Sequence, residues 1–245
     1  MKTLVVMPTF NEIDSLAETV RNLFANVPDV KLLIVDDASP DGTGVLADRM
    51  AEEDERIEVL HRDAKVGLGE AYRAGFRYAA ETGFDFVVEM DADGSHRGVD
   101  LPKLLAAAPN NDLVIGSRYV RGGGSHGWSL WRRMLSRAAN LYTSTLLGVS
   151  IRDMTAGFRV YRLAFLTPLL AGTSSEGYVF QVELAWRAKR AGGRVAEVPI
   201  IFEERAHGSS KMSSAIALEA LRLITLWGWR RLLRRRPWRW LDEHA

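Results

Sequence analysis

The chain has 245 residues, 47% hydrophobic and 26% charged, with a formal net charge of +1. Such a composition fits one large α/β domain, or one domain with a short appendage. With no cysteine, disulfides and thiolate chemistry are excluded and a reducing compartment is expected. The near-neutral balance hides an asymmetry: arginines crowd the last quarter, while acids gather around residues 48–58. No window reaches the ~18–20 uninterrupted apolar residues of a membrane span.

The opening run, Met1 to Pro8, is too short in apolar residues for a signal peptide and reads as a first strand, Leu4–Met7, stopped by Pro8. An amphipathic helix should follow to about Asn26, with Leu16, Val20, Leu23 and Phe24 on one face. Thr9 and Asn11 both suit its N-cap. Lys31–Val35 is a second buried strand, ending in Asp36-Asp37-Ala-Ser39-Pro40-Asp41-Gly42-Thr43, a loop and cap for a helix through Met50. Ile57–His61 is a third, short strand. Behind it, Arg62 to Ala71 contains Lys65-Val-Gly67-Leu-Gly69 and opens a helix through Thr82. A Gly-x-Gly there invites a nicotinamide-dependent oxidoreductase reading. Tyr72 occupies the place of that fingerprint's third glycine, and the strand is third rather than first, so the match is weak. A loop where backbone closely approaches a base or phosphate is the better reading.

The fourth strand, ending at Met90, delivers Asp91 and Asp93 two positions apart, with Gly94 behind them. Open α/β sheets bind ligands at that carboxyl edge. Two carboxylates suit Mg²⁺ or Mn²⁺, and such an ion can bridge nucleotide phosphates. Alone, the triplet reads equally well as a turn and helix cap. A calcium loop is excluded, because His96 and Pro102 stand where an EF-hand needs its glycine and its bidentate glutamate. Asp112–Ser117 is the fifth strand. The alternation predicts a mostly parallel sheet with helices on both faces. A parallel sheet gathers Asn11-Glu12, Asp36-Asp37 and Asp91-Asp93 on one rim, and that convergence favours a metal–nucleotide site.

Arg118-Tyr-Val-Arg121-Gly-Gly-Gly124 is a basic, glycine-rich loop leading into a helical stretch, Trp128–Leu147. Asp153-Met-Thr-Ala-Gly-Phe-Arg159 precedes a strand at Val160-Tyr161, and a helix is expected over Val179–Ala191. Val195–Phe202 is the last strand, and Pro199 within it argues for a sheet edge. Glu203 to Lys211 is a polar loop whose Arg205 and Lys211 suit closure over phosphates, or a solvated linker. Residues 216–240 are helical in pattern until Pro237, with Arg222, Arg230, Arg231 and Arg234–Arg236 among leucines and with Trp227, Trp229, Trp238 and Trp240. This is the composition of a helix lying in a membrane interface. Nucleic-acid binding and docking on the chain's own domain are the competing readings.

Taken together, the chain resembles the family 2 inverting glycosyltransferases, and within them the polyprenyl-phosphate (dolichol-phosphate) mannose synthases. The resemblance rests on seven stretches in order: Pro8-Thr-Phe-Asn-Glu12, Val35 to Thr43, Gly67-Leu-Gly69, Glu89-Met-Asp-Ala-Asp93, Val114-Ile-Gly-Ser-Arg-Tyr119, Asp153 to Arg159 and Arg205 to Lys211. It implies a GT-A fold over residues 1–213, to which the composition of 214–245 adds an amphipathic segment for a membrane interface or a partner. It implies a GDP-mannose donor, a polyprenyl phosphate acceptor and no nucleic-acid partner. Pro8, Thr9, Phe10 and Glu12 would line the nucleoside, with Asp36 or Asp37 at the base and Lys65 and Gly67 in the loop beside it. Asp91, Ala92 and Asp93 would meet the diphosphate, the two aspartates holding Mg²⁺ or Mn²⁺. Arg118 would face the donor or acceptor phosphate, and Arg205 and Lys211 would clamp. Relatives often have Gln-His where Ser95-His96 stands, which makes Ser95 the candidate third ligand. Many relatives also carry C-terminal membrane spans. Here the tail, an integral-membrane partner, or both would hold the protein peripherally at the cytoplasmic face.

A phosphate monoester is already anionic at neutral pH and attacks an anomeric carbon without a strong base, so positioning and charge neutralisation dominate. A hydroxyl acceptor would instead need a carboxylate base, for which Asp153 is the first candidate. A related transferase using UDP-glucose, and a non-enzymatic membrane adaptor relying only on the basic tail, are the alternatives.

Overall fold

The structure is a computed structural model that describes residues 1–173, 175, 177–204 and 214–233. The strand–helix alternation forms as expected: β1 (Thr3–Thr9), α1 (Leu16–Asn26), β2 (Lys31–Asp36), α2 (Thr43–Glu53), β3 (Ile57–His61), α3 (Leu68–Glu81), β4 (Phe86–Glu89), α4 (Leu101–Ala107) and β5 (Leu113–Ser117). The second half adds β6 (Gly124–Ser125), α5 (Leu130–Leu147), β7 (Arg159–Arg162), α6 (Leu163–Leu170), α7 (Gly177–Arg190), β8 (Val195–Pro199), β9 (Ile201–Phe202) and α8 (Ser214–Leu233).

Seven strands form one sheet in the order β3-β2-β1-β4-β7-β5-β8, and β6 pairs with β9 in a separate ribbon. Within the large sheet β7 alone runs against its neighbours. The other strands share one direction, so their carboxyl ends line one rim. The reversal of β7 places its leading loop, residues 153–158, on that same rim. β8 is the edge strand that Pro199 predicts, and after Ile200 the chain leaves the sheet to pair with β6.

Alternate strand residues enter two apolar layers, as expected for a sheet buried on both faces. Leu4, Val6, Leu33, Val35 and Val87 pack with α3, α6 and α7 through Tyr72, Phe76, Leu166 and Phe180. Val5, Met7, Leu32, Ile34 and Val88 pack with α1 and α4 through Leu16, Leu23, Leu101 and Leu104. The end of α5 and the middle of α8 join the first layer through Leu147 and Ile224.

Three local expectations are corrected. Pro8 does not stop β1, which runs on to pair Pro8 with Val35 and Thr9 with Asp36. A proline fits there because its missing N–H costs nothing where no partner accepts it. Neither Thr9 nor Asn11 caps α1: the N-cap is Ser15, without a side-chain cap bond. The predicted Trp128 start of α5 shifts to Leu130, because Ser129 is the N-cap and accepts from the Arg132 N–H at 3.3 Å.

Candidate active site

The ends of β1 and β2 are tied together by Asp36. It accepts from the Thr9 hydroxyl at 2.9 Å, from the Ser39 hydroxyl at 2.6 Å and from the Ser39 N–H at 3.1 Å. These bonds hold Ala38 at φ +53°, a left-handed conformation that an alanine adopts at a cost of about 1–2 kcal/mol. Asp36 therefore serves the turn. Asp37, the other carboxylate of the pair, is flanked by Arg62, whose Nη1 donates to it at 2.7 Å. Burial pushes the Asp37 carboxyl up, with Arg62 acting against it. Glu12 is fixed by its N–H donating to Thr43 Oγ1 at 3.0 Å, and half-buried Pro8 and Phe10 line the same end of β1. The Lys65 ammonium sits 4.0 Å from the Phe10 ring centroid, bringing the Gly67 loop over β1. Gly67 takes φ +140°, which only glycine adopts readily. The loop before α3 thus reaches the β1 end of the rim.

Beyond β4, Asp91 and Asp93 occupy a tight turn. The Tyr72 hydroxyl donates to Asp91 Oδ1 at 3.1 Å, and the Asp91 N–H donates to His96 Nδ1 at 3.0 Å. That second bond puts the ring proton of His96 on Nε2. The ring stacks on Phe158, centroids 4.9 Å apart, and meets Phe202 edge-on at 5.8 Å. Asp93 Oδ1 accepts from the Ser95 N–H at 2.9 Å, closing the turn around buried Ala92. Ser95 Oγ is buried with no hydrogen-bond partner among the described residues. An orphan hydroxyl beside two carboxylates is an all-oxygen donor set, which fits a hard divalent cation. Among the described residues no group of three or more His, Cys, Asp or Glu is arranged for a metal, so phosphate oxygens would complete such a shell.

The 153–158 loop presses on this turn. A Cβ at Gly157 would lie 3.3 Å from His96 Cε1 and 3.6 Å from Asp91 Oδ2. Buried Arg159 holds the loop by donating to the carbonyls of Ala156 at 2.7 Å, Met154 at 2.8 Å and Gln181 at 2.6 Å. Beneath the aspartates Glu89 is fully buried, 4.0 Å from Arg159. Its oxygens make no hydrogen bond of good geometry among the described residues, and the Tyr161 hydroxyl is a polar neighbour. Burial raises the Glu89 carboxyl to about 8, the Arg159 charge acting the other way and the Asp91 charge reinforcing the rise.

Across Phe202 lies a basic pocket. Its cavity of about 260 Å³ is lined by Arg118, Tyr119, Ser125, His126, Arg133 and Arg137, among others. Buried Asp153 accepts from the Arg118 N–H at 2.9 Å, Nε at 2.8 Å and Nη2 at 2.6 Å, and Thr155 Oγ1 accepts from the same Nη2 at 2.9 Å. Asp153 is fully engaged with Arg118, which removes it as a candidate base. Asn140 of α5 bonds Thr155 in both directions, through Nδ2 at 3.1 Å and Oδ1 at 3.2 Å, locking α5 to the loop. The Arg118 Cζ lies 5.5 Å from the Phe202 centroid, so one ring separates the aspartate turn from the pocket.

Arg205 and Lys211 lie outside the described residues. The other predicted residues fall along one rim, at the ends of β1 and β2, in an acidic turn and in a basic pocket. Tyr72, Arg62, Arg133 and Arg137 are not expected from the sequence as site residues, and Glu89 and Arg159 enter only as the ends of two of the resembling stretches, with no role assigned. A charged residue at the end of an apolar run, as Glu89 is in Phe86–Glu89, is the signal that could have flagged that one.

Residues 4–168 match glycosyl transferase family 2. The chain is 51% identical over 229 residues to an undecaprenyl-phosphate mannosyltransferase from Micrococcus luteus, covering 93% of this chain and 94% of that protein. It is 49% identical over 231 residues to a polyprenol monophosphomannose synthase from Mycolicibacterium smegmatis, covering 93% of this chain and 87% of that protein. The fold is similar to glucosyl-3-phosphoglycerate synthase from Mycobacterium tuberculosis, solved with Mn²⁺, UDP-glucose and phosphoglyceric acid (TM-score 0.68, 20% identity, 93% of this chain and 79% of that chain). It is also similar to a mannosyltransferase from Pyrobaculum calidifontis solved with GDP-mannose and Mn²⁺ (TM-score 0.62, 18% identity, 96% and 65%).

Proposed function

The chain belongs to glycosyl transferase family 2, and on that premise we propose that it transfers mannose from GDP-mannose to a polyprenyl monophosphate, with inversion, giving polyprenyl-phosphate mannose and GDP. The observation that carries this reading is the placement of an acidic turn and a basic pocket on either side of Phe202. A nucleoside diphosphate needs the first and a phosphate monoester the second.

Asp37 and Arg62 read the base, with Phe10 and Lys65 beside it. Asp91 and Asp93, with Ser95, would hold a Mg²⁺ or Mn²⁺ ion, which supplies positive charge against the donor diphosphate as negative charge builds there. Tyr72 and His96 keep Asp91 in place. Arg118, aimed by Asp153 and Thr155, binds the acceptor phosphate with Arg133 and Arg137, and Arg205 and Lys211 close over phosphate from the loop behind β9. The acceptor monoester is its own nucleophile, so no side chain has to take a proton, and the chain's work is orientation and charge compensation. A neutral Glu89 suits the site, since a third carboxylate charge beneath Asp91 would oppose binding of an anionic donor.

No described helix is long and apolar enough to cross a membrane. The catalytic domain, residues 1–213, acts peripherally at the cytoplasmic membrane surface, where the acceptor's chain is anchored, with the 214–245 segment or an integral-membrane partner holding it there.

The test is incubation with labelled GDP-mannose or UDP-glucose, a short polyprenyl phosphate and Mn²⁺, followed by solvent extraction. Mannolipid from GDP-mannose alone, abolished in Asp93→Ala, is expected. Full activity of Asp93→Ala in chelator overturns the assignment of the aspartates, and a glucolipid product overturns that of the donor.

A further inference from the structure

Transfer requires the hexose to lie between the donor diphosphate at the acidic turn and the acceptor phosphate at Arg118. One stretch of chain spans that interval. The 153–158 loop grips Arg118 through Asp153 at one end and sets Gly157 against His96 and Asp91 at the other. Phe202 neighbours both His96 and Arg118 across the same interval. A hexose held there meets the polar groups that border the loop.

Gln181, near the start of α7, is one of them. It is only 1% exposed, and its carbonyl accepts from Arg159 Nη1 at 2.6 Å, the guanidinium that also holds the loop. Its side-chain Oε1 is buried with no hydrogen-bond partner among the described residues. Its Nε2 would be the nearest atom to a Cβ at Gly157, at 3.2 Å, ahead of His96 Cε1 at 3.3 Å and Asp91 Oδ2 at 3.6 Å. Gly157 does not adopt a positive φ, so it serves here for room rather than for backbone freedom. With glycine in place, residue 157 puts no side chain between the carboxamide and the Asp91 carboxylate.

Folded interiors leave few buried polar atoms unpaired, so each asks for a partner. Chemistry narrows what the partner of this carboxamide is. A phosphate oxygen only accepts and has nothing to give to Oε1, and a cation is served by the carboxylates. A hydroxyl both donates and accepts, so it satisfies the amide whichever way round its oxygen and nitrogen stand. We propose that Gln181 is a further specificity-determining residue, its carboxamide holding one hydroxyl of the hexose being transferred. The proposal rests on the transferase reading above and deepens it by naming a group that grips the sugar. A neutral amide suits this place, since one more negative charge beside Asp91 would oppose an anionic donor. A buried group built to pair with a hydroxyl also rejects a sugar lacking that hydroxyl far more strongly than an apolar pocket does.

The experiment compares GDP-mannose with its four monodeoxy analogues, using the full chain, Mn²⁺ and a short polyprenyl phosphate. Wild type should lose about ten- to a hundredfold in kcat/KM on one of the four when its partner hydroxyl is missing. Gln181→Met, close in volume but without the amide, should lose as much on GDP-mannose and nothing further on that one analogue. On the other three the substitution should keep its full effect. Its melting temperature and its KM for acceptor should match wild type, because the free protein has no pairing at Oε1 to lose. Gln181→Asn, which withdraws the amide by one carbon, should repeat the pattern in a smaller side chain. Calorimetry gives a readout without turnover: both variants should bind GDP as wild type does and bind GDP-mannose more weakly. An effect equal on all four analogues, with a lowered melting temperature, would make the amide a structural or water-binding group and overturn the proposal. So would an unchanged kcat/KM on GDP-mannose, or GDP affinity falling as far as GDP-mannose affinity. If wild type forms lipid product from UDP-glucose and not from GDP-mannose, the donor reading fails, and the deoxy analogues of that hexose decide on Gln181 in the same way.

Discussion

Asp153→Asn separates two roles for a buried carboxylate beside the basic pocket. Asp153 is inaccessible and Arg118 only 7% exposed, and three donors of Arg118 converge on the two carboxylate oxygens. Asparagine keeps the size but removes the charge, and it turns an amide N–H₂ or a single carbonyl toward a guanidinium that needs two acceptors. Breaking a buried pair from one side costs about 3–5 kcal/mol, because the remaining charge is left uncompensated. At this chain length about 2–4 °C per kcal/mol converts that into a fall in melting temperature of roughly 6–20 °C. A phosphate monoester in the pocket returns part of the missing negative charge, so a short polyprenyl phosphate should raise the melting temperature of Asp153→Asn more than that of wild type. Scanning calorimetry with and without that ligand gives both numbers, and steady-state kinetics should show the KM for acceptor rising. If Asp153 were instead a general base, the variant would melt within about 2 °C of wild type while kcat fell about 10²–10⁴-fold. That result would refute the ion-pair role.

Glu89→Gln tests the buried acid under the aspartate turn. The folded protein holds this carboxyl protonated to about pH 8 and the unfolded chain releases it near its ordinary 4.5, so its contribution to stability is greatest below 4.5 and declines as pH rises through that window. In metal-free protein the variant should match wild type at pH 4 and exceed it by about 3 kcal/mol at pH 7. A difference constant across this range, or a variant less stable at pH 7, would mean that Glu89 is ionised against Arg159. Tyr72→Phe removes only the hydroxyl that donates to Asp91, leaving the ring between Phe76 and Phe180. Calorimetry of GDP binding should show an unchanged melting temperature and a Mn²⁺ requirement raised about tenfold or more; unchanged Mn²⁺ dependence counts against Tyr72 as the residue that aims Asp91.

The order of elements was legible in the sequence because it is written locally. Buried strands announce themselves as short apolar runs such as Leu32–Val35, and Asp36-Asp37 and Asp91-Asp93 arrive where such runs end. Parallel topology then forces those ends onto one rim whatever the details of packing. Pro199 likewise marks the edge strand, where a missing N–H is most easily tolerated. The remaining features depend on which residues distant in sequence become neighbours. Nothing local states that β7 inserts in reverse between β4 and β5, yet that reversal carries Asp153 to Arg118 and Gly157 to His96. Asp36 and Asp37 look alike in the chain, and only the approach of Thr9, Ser39 and Arg62 gives one to the turn and pairs the other with an arginine. The periodicity of α5 shows that it has an apolar face without saying where that face points. The tertiary structure turns it outward, because the inner side of the helix carries buried Thr143 and Asn140, and Asn140 bonds the 153–158 loop.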